Sequence, residues 1–158
     1  MSLPGSRSVA ESRVEMTEII MPNDGNPLGN AMGGRVMQWI DVCAAVCAGR
    51  HARTPVVTAS VDNVDFLNPV PVGSILVLRA SVNFTGRTSM EIGVKCWQEE
   101  RSTGDRTHVV SAYLTFVSLN PETRKPQAVS AIKPESDEEQ RRYADAEARR
   151  QARLALRK

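Results

Sequence analysis

The segment from Gly34 to Ala48 constrains this chain more than any other, because it is apolar on nearly every side. Val36, Met37, Trp39, Ile40, Val42, Cys43, Val46 and Cys47 are interrupted mainly by Gln38 and Asp41. A surface helix carries a polar face repeating every 3.6 residues, and this segment lacks one. It is predicted to be a helix buried within the fold, so the rest of the chain must supply a broad apolar cover.

The flanking segments read as that cover. Arg13 to Met21 alternates loosely and ends at Pro22, predicting a first strand before the turn-rich PNDGNPLGN. Pro55 to Phe66 is rich in Val and Thr, with Val57, Ala59 and Val61 at period two, and predicts a second. After NPVPVG, a third strand sets Leu76, Leu78, Ala80, Val82 and Phe84 on one face, and TGRT closes a hairpin. The fourth, Ser89 to Glu99, turns Met90, Ile92, Val94 and Cys96 inward. RSTGDR leads into a fifth from Thr107 to Leu119. One long helix and five strands predict a two-layer α+β fold, with an antiparallel five-stranded sheet wrapped around the helix.

At 158 residues the chain supports one core. Both Trp and all three Phe precede Leu119, while the stretch beyond Pro121 is mostly charge, Ala and Pro. The expected organisation is a disordered N-terminus over 1–12, a domain over 13–121, and a charged C-terminal extension over 122–158, helical from about residue 135. Ser136 and Glu139 form a capping-box pattern, acidic residues follow, and LALRK ends the run, in the charge order a helix macrodipole favours. A solvated or partly disordered tail and a subunit-packing helix both fit this pattern.

The formal net charge is only +2, and basic residues outside the tail are scattered, so no nucleic-acid partner is expected. No apolar run approaches the roughly 20 residues of a membrane span, and the first residues lack a secretory-type apolar stretch. A cytoplasmic protein without membrane contact is the expectation. Cys43, Cys47 and Cys96 form no CxxC pair and read as small core residues. With His51 and His108 the only histidines, a metal site or serine triad is poorly supplied, and the chemistry narrows to carboxylates and amides.

Asp41 is the informative residue, since a carboxylate in an apolar helix must be paired or used. A bond to a nearby backbone group or hydroxyl would satisfy it equally well. The run GNAMGGRVMQWID sets Asn30 in a loop, Gly33 and Gly34 at the helix start, and Asp41 about two turns in. Glycines there let a carbonyl approach unpaired N–H groups that can hold an oxyanion, although a tight turn or close helix packing also calls for glycine. Arg50, His51 and Arg53 at the helix C-terminus, and Arg87, Thr88 and Ser89 in the hairpin, are candidate phosphate donors. The helix dipole and plain solvation explain cations at such places too.

GNAMGGRVMQWID, VVTASVDNVDF, NPVPVG, TGRTSMEI and AYLTFVSLN, in that order, resemble the acyl-CoA hydrolase branch of the hotdog thioesterases. This is the family of the brain-type and bacterial cytosolic acyl-CoA thioester hydrolases. The resemblance covers about Arg13 to Pro121. It implies a hotdog fold and hydrolysis of acyl-CoA to fatty acid and CoA, with no cofactor and no metal, CoA being part of the substrate. It also implies a homodimer, usually assembled as a trimer of dimers. The family's loop Asn and helix Asp fall on Asn30 and Asp41, which are implied to face each other across the dimer. Asp41 would activate water or attack directly, Asn30 would position water or carbonyl, and the Gly34 N–H would stabilise the oxyanion. The resemblance also favours Arg87, Thr88 and Ser89 as CoA-binding residues. Where the family commonly reads His-Gly-Gly, this chain has Met32-Gly33-Gly34. An acyl-thioester dehydratase or hydratase, which pairs a His with an acid, and a non-catalytic acyl-CoA sensor are the competing functions.

Overall fold

The computed structural model describes residues 5–157. Helix α1 spans Gly33–Ala52, longer than the predicted Gly34 to Ala48, and ends where Arg53 turns left-handed (φ 59°) and returns its N–H to the Gly49 carbonyl. Five strands follow the predicted order: β2 (Val14–Ile19), β3 (Val56–Phe66), β4 (Ile75–Thr85), β5 (Ser89–Glu99) and β6 (Arg106–Ser118). They form one antiparallel sheet in the order β2-β4-β5-β6-β3. Leaving β3 at an edge matters most for the site, because its outer backbone has no strand partner among the described residues.

The core lies between α1 and the concave face of the sheet. Ile40, Cys43, Ala44, Cys47 and Ala48, spaced i, i+3, i+4, i+7 and i+8, are fully buried against Leu76, Leu78, Met90, Ile92, Leu114 and Phe116. Each large side chain so enclosed contributes about 1.5–3 kcal/mol. Burial on every side of the helix does not hold within one chain. Val42 and Val46 are 45% and 39% exposed, because one sheet can cover only one side of a helix.

Two strand faces also differ from the alternation read in the sequence. A bulge between Val82 and Phe84 flips Phe84 to the opposite face, where its ring packs 4.9 Å from that of Tyr143. Bulges after Thr58 and Val61 break the period in β3, and Val57, Ala59 and Val61 are exposed instead of buried.

The disordered N-terminus is corrected over residues 5–12, while residues 1–4 lie outside the described residues. Strand β1 (Arg7–Ser8) pairs in parallel with β7 (Ile132–Lys133), and a 3₁₀ turn over Ala10–Ser12 follows, with Val9 and Ser12 buried. Helix α2 (Asp137–Ala155) starts at the Ser136–Glu139 capping box and lies on the convex face of the sheet. Only Ala146 is buried along it, so ion pairs and aromatic contacts do the docking. Arg149 reaches both carboxylate oxygens of Glu91 at 2.8 and 2.9 Å and lies 3.7 Å above the Tyr113 ring. Arg153 bonds Asp62 at 2.6 Å.

Candidate active site

The loop before α1 is built as a rigid support. Asn26 Oδ1 accepts from the N–H groups of Leu28 and Asn30, and its own N–H donates to the Asn30 carbonyl at 2.7 Å. Gly29 takes φ +80° between them, a conformation that suits glycine. Ala31 N–H donates to Val70, and Val72 N–H donates to Gly29, so the NPVPVG segment braces the loop from outside. At its base, the buried Asp24 carboxylate accepts from Met21 N–H at 2.9 Å and from Arg35 Nε at 2.8 Å. The Met21 amide, opposed by burial and helped by Arg35, holds this carboxyl below its ordinary 3.8. Loop and helix are thereby clamped, and the Asn30 side chain is left without a hydrogen-bond partner among the described residues.

Met32 occupies the N-cap position and offers no capping atom. The first N–H groups of a helix have no partner within it, and among the described residues those of Gly33 and Gly34 find none elsewhere. A Cβ at Gly34 would meet nothing within 4 Å, and one at Gly33 would touch only Phe66, at 3.7 Å. The helix end is open to an incoming oxygen.

Asp41 projects from the half-covered side of α1. Thr58 on β3 donates to its Oδ1 at 2.7 Å, and no cation among the described residues pairs with it. The hydroxyl bond left open by the sequence is therefore present, and Thr58 is a site residue that the sequence reading missed. Its only signal was a hydroxyl between Val57 and Ala59, near the start of the strand that follows the helix. Asn30 and Asp41 are not brought together within one chain. The helix rise from Gly33 to Asp41 alone is about 12 Å, and no hydrogen bond joins the two side chains.

The phosphate-donor candidates separate. His51 is corrected: it is 1% exposed, its Nε2 lies 2.7 Å from the Ser130 carbonyl, and burial pushes its pKa down, so it braces the tail instead of meeting solvent. Arg50 is exposed but ties its guanidinium to the Arg13 carbonyl at 3.1 Å, and Arg53 Nε bonds the Arg50 carbonyl. Arg53 caps the end of α1, while Arg50 ties that end to the residue before β2. Arg87, Thr88 and Ser89 do form the turn between β4 and β5. Val129 N–H donates to the Arg87 carbonyl and Ser118 N–H to the Thr88 carbonyl, which leaves the Arg87 side chain exposed without a partner among the described residues. Thr58 pairs with Phe116, and Phe116 with Met90. One row across three strands thus runs from the Asp41 partner to the residue after Ser89, a lateral span of about 10 Å.

No histidine reaches this region. His108 lies on the convex face, its Nε2 2.8 Å from Ser111 Oγ. Among the described residues no cluster of three His, Cys, Asp or Glu residues could hold a metal, and no helix is long and apolar enough to cross a membrane.

Known proteins resemble this chain in sequence and fold over most of its length. The thioesterase superfamily matches residues 28–104. The Bacillus subtilis protein YkhA, an uncharacterized acyl-CoA thioester hydrolase, is 39% identical over 139 residues, covering 88% of this chain and 80% of that one. A hexameric acyl-CoA thioesterase superposes with a TM-score of 0.92 at 40% identity, covering 97% of both chains. An acyl-CoA hydrolase of Staphylococcus aureus, solved with butyryl-CoA, CoA and CoA disulfide, gives 0.90 at 37% identity over 96% of this chain and 92% of that one. With fold, loop and helix matched over nearly its whole length, the chain belongs to the acyl-CoA thioester hydrolase family of the hotdog thioesterase superfamily.

Proposed function

We propose that this chain hydrolyses acyl-CoA thioesters at a site assembled from two protomers, with Asp41 of one as the base and Asn30 and the Gly34 N–H of the other around the thioester. The hydrolysis is that of its family. The observation that carries the two-protomer site is the placement of its halves at opposite ends of β3. Thr58 holds Asp41 near the strand's start, while Phe66 lies against Gly33 at its end, about 20 Å away along the sheet, six residues of β6 spanning the two.

β3 is an 11-residue edge strand, and a free edge of that length pairs readily. A second copy added antiparallel about a two-fold axis near Asp62 sets Thr58 beside Phe66 of the partner subunit. The partner's helix end and loop then arrive at Asp41. The same contact covers Val42, Val46 and Val61, apolar side chains that a single chain leaves 39–45% exposed. Such dimers would assemble further as a trimer of dimers. Three free, buried cysteines are in keeping with a reducing, cytoplasmic compartment.

In this arrangement the Asp41 carboxylate takes a proton from water as the resulting hydroxide attacks the thioester carbonyl. The developing oxyanion lies at the Gly34 N–H, and Asn30 orients water or carbonyl. Collapse of the tetrahedral intermediate expels the CoA thiolate, which recovers the proton from Asp41. A thiolate is a good leaving group and needs little further help, so Met32 in the position next to the glycines is compatible with turnover. No cofactor enters the reaction. Arg87, Thr88 and Ser89 bind the CoA phosphates beyond the thioester.

Asp41→Asn tests the base. It should lower kcat at least about a hundredfold while leaving acyl-CoA binding nearly unchanged. Near wild-type turnover by the folded variant would remove Asp41 from the mechanism.

A further inference from the structure

The CoA-binding reading assigns only the hairpin turn, yet a second cation lies against it. Gly86, just before Arg87, has no side chain, and the space where its Cβ would stand is 2.9 Å from Ser89 Oγ and 3.5 Å from both Nε and Nη2 of Arg150. Arg150 comes from α2, more than sixty positions away in sequence, across the convex face of the sheet. Its guanidinium lies 5.9 Å from the centre of the Phe84 ring and makes no salt bridge or hydrogen bond among the described residues. Its neighbours on the same helix differ. Arg149 is fully engaged by Glu91 and Arg153 by Asp62.

We propose that Arg150 is a second phosphate-binding residue of the CoA site, carried to the hairpin by the C-terminal helix. The proposal rests on the reading of Arg87, Thr88 and Ser89 as the CoA-binding turn, and extends it to a residue of the tail. Without a side chain, Gly86 lets the Ser89 hydroxyl and the Arg150 fork come together over the turn, and a phosphate lying against them meets both, with Arg87 next in the turn. Cations serve phosphate best when no carboxylate competes, and here neither Arg87 nor Arg150 has one. Glycine suits this position, since a Cβ would stand 2.9 Å from the hydroxyl meant to donate and would push it aside. Arg149 and Arg153 fix the helix on the sheet and so hold Arg150 at the turn. On this reading the tail completes the substrate site.

The test measures CoA binding to the full-length protein by calorimetry, together with hydrolysis of an acyl-CoA and of the same acyl group on N-acetylcysteamine, which lacks every phosphate. Arg150→Ala should weaken CoA binding about tenfold and raise KM for acyl-CoA by a similar factor, as loss of a charge-assisted contact does. The N-acetylcysteamine thioester should be turned over as by wild type. Arg150→Gln keeps most of the stem over Phe84 while removing the charge, and should behave as Arg150→Ala does if binding is the role. Equal losses on both substrates, or unchanged CoA affinity in the Gln variant, would mean that Arg150 only docks the helix and would overturn the proposal. Should Arg87→Ala weaken CoA binding where Arg150→Gln does not, the hairpin reading stands without Arg150. If neither variant weakens it, both the proposal and the hairpin reading fall.

Discussion

The Thr58 hydroxyl donates a 2.7 Å hydrogen bond to Oδ1 of Asp41, linking the edge strand to the carboxylate on the central helix. One oxygen of Asp41 is thereby oriented and the other left open. Thr58→Val keeps the shape of the side chain and removes the donor. We expect kcat to fall about tenfold with KM little changed, because the loss affects the positioning of the base and not CoA binding. Thr58→Ser should restore most of the rate. A change in thermal stability with kcat intact would make the bond structural only.

The three thiols should be inert in the folded protein. Burial pushes Cys43 up to about 11 and Cys47 and Cys96 up to about 12, from an ordinary 9.0. At pH 8 a thiol-reactive dye should therefore label none of them until denaturant is added, and then all three. The sign of the linked stability follows from the raised values. The folded state holds these protons more tightly, so the contribution is complete below about pH 9 and is lost as pH rises through 11 to 12. Rapid labelling of the native protein at pH 8 would contradict the burial.

Arg149 should be the residue whose removal most loosens the tail. Glu91 is 5% exposed and accepts from Arg149 twice and from Asn83 Nδ2 once, at 3.0 Å. Arg149→Ala leaves that carboxylate buried with one neutral partner, at a cost of about 3 kcal/mol. Adding Glu91→Gln should recover part of the loss, since the stranded charge is then gone. Urea denaturation of the three variants checks both the loss and the recovery.

The parts of this molecule legible in the sequence are those governed by local patterning. Met90, Ile92, Val94 and Cys96 alternate without interruption and all face the core. The helix was recognisable from its apolar density and the loop from its Gly, Pro and Asn content. What escaped depended on distant contacts. Phe84 fits the inward pattern of its strand, but a bulge at Asn83 reverses it, and the bulge is coupled to Glu91 and the tail helix. His51 reads as a cation at a helix end until the Ser130 carbonyl is seen to meet its buried ring. Val42, Val46 and Val61 carry a core-like pattern yet lie 39–45% exposed in a single chain, and the surface proposed to cover them is another copy of the chain. Thr58 could be linked to Asp41 only once β3 was known to lie beside the middle of α1.

The shared site makes a prediction that an intrachain site cannot meet. Asn30 and Asp41 are separated along α1 within one chain, and the proposed antiparallel pairing of β3 edges brings Asn30 of one copy to Asp41 of the other. A symmetric dimer then holds two complete sites, each built from both subunits. Separately inactive Asn30→Ala and Asp41→Ala proteins, mixed under conditions that exchange subunits, form mixed dimers in about half of all pairings. In each mixed dimer one site receives both lesions and the other neither, so about a quarter of all sites should regain activity. Were Asn30 and Asp41 to act within one chain, every site would carry a lesion whichever partner it met. Activity that stays at the level of the single variants, despite exchange demonstrated by mass-tagged subunits, would refute the two-protomer site.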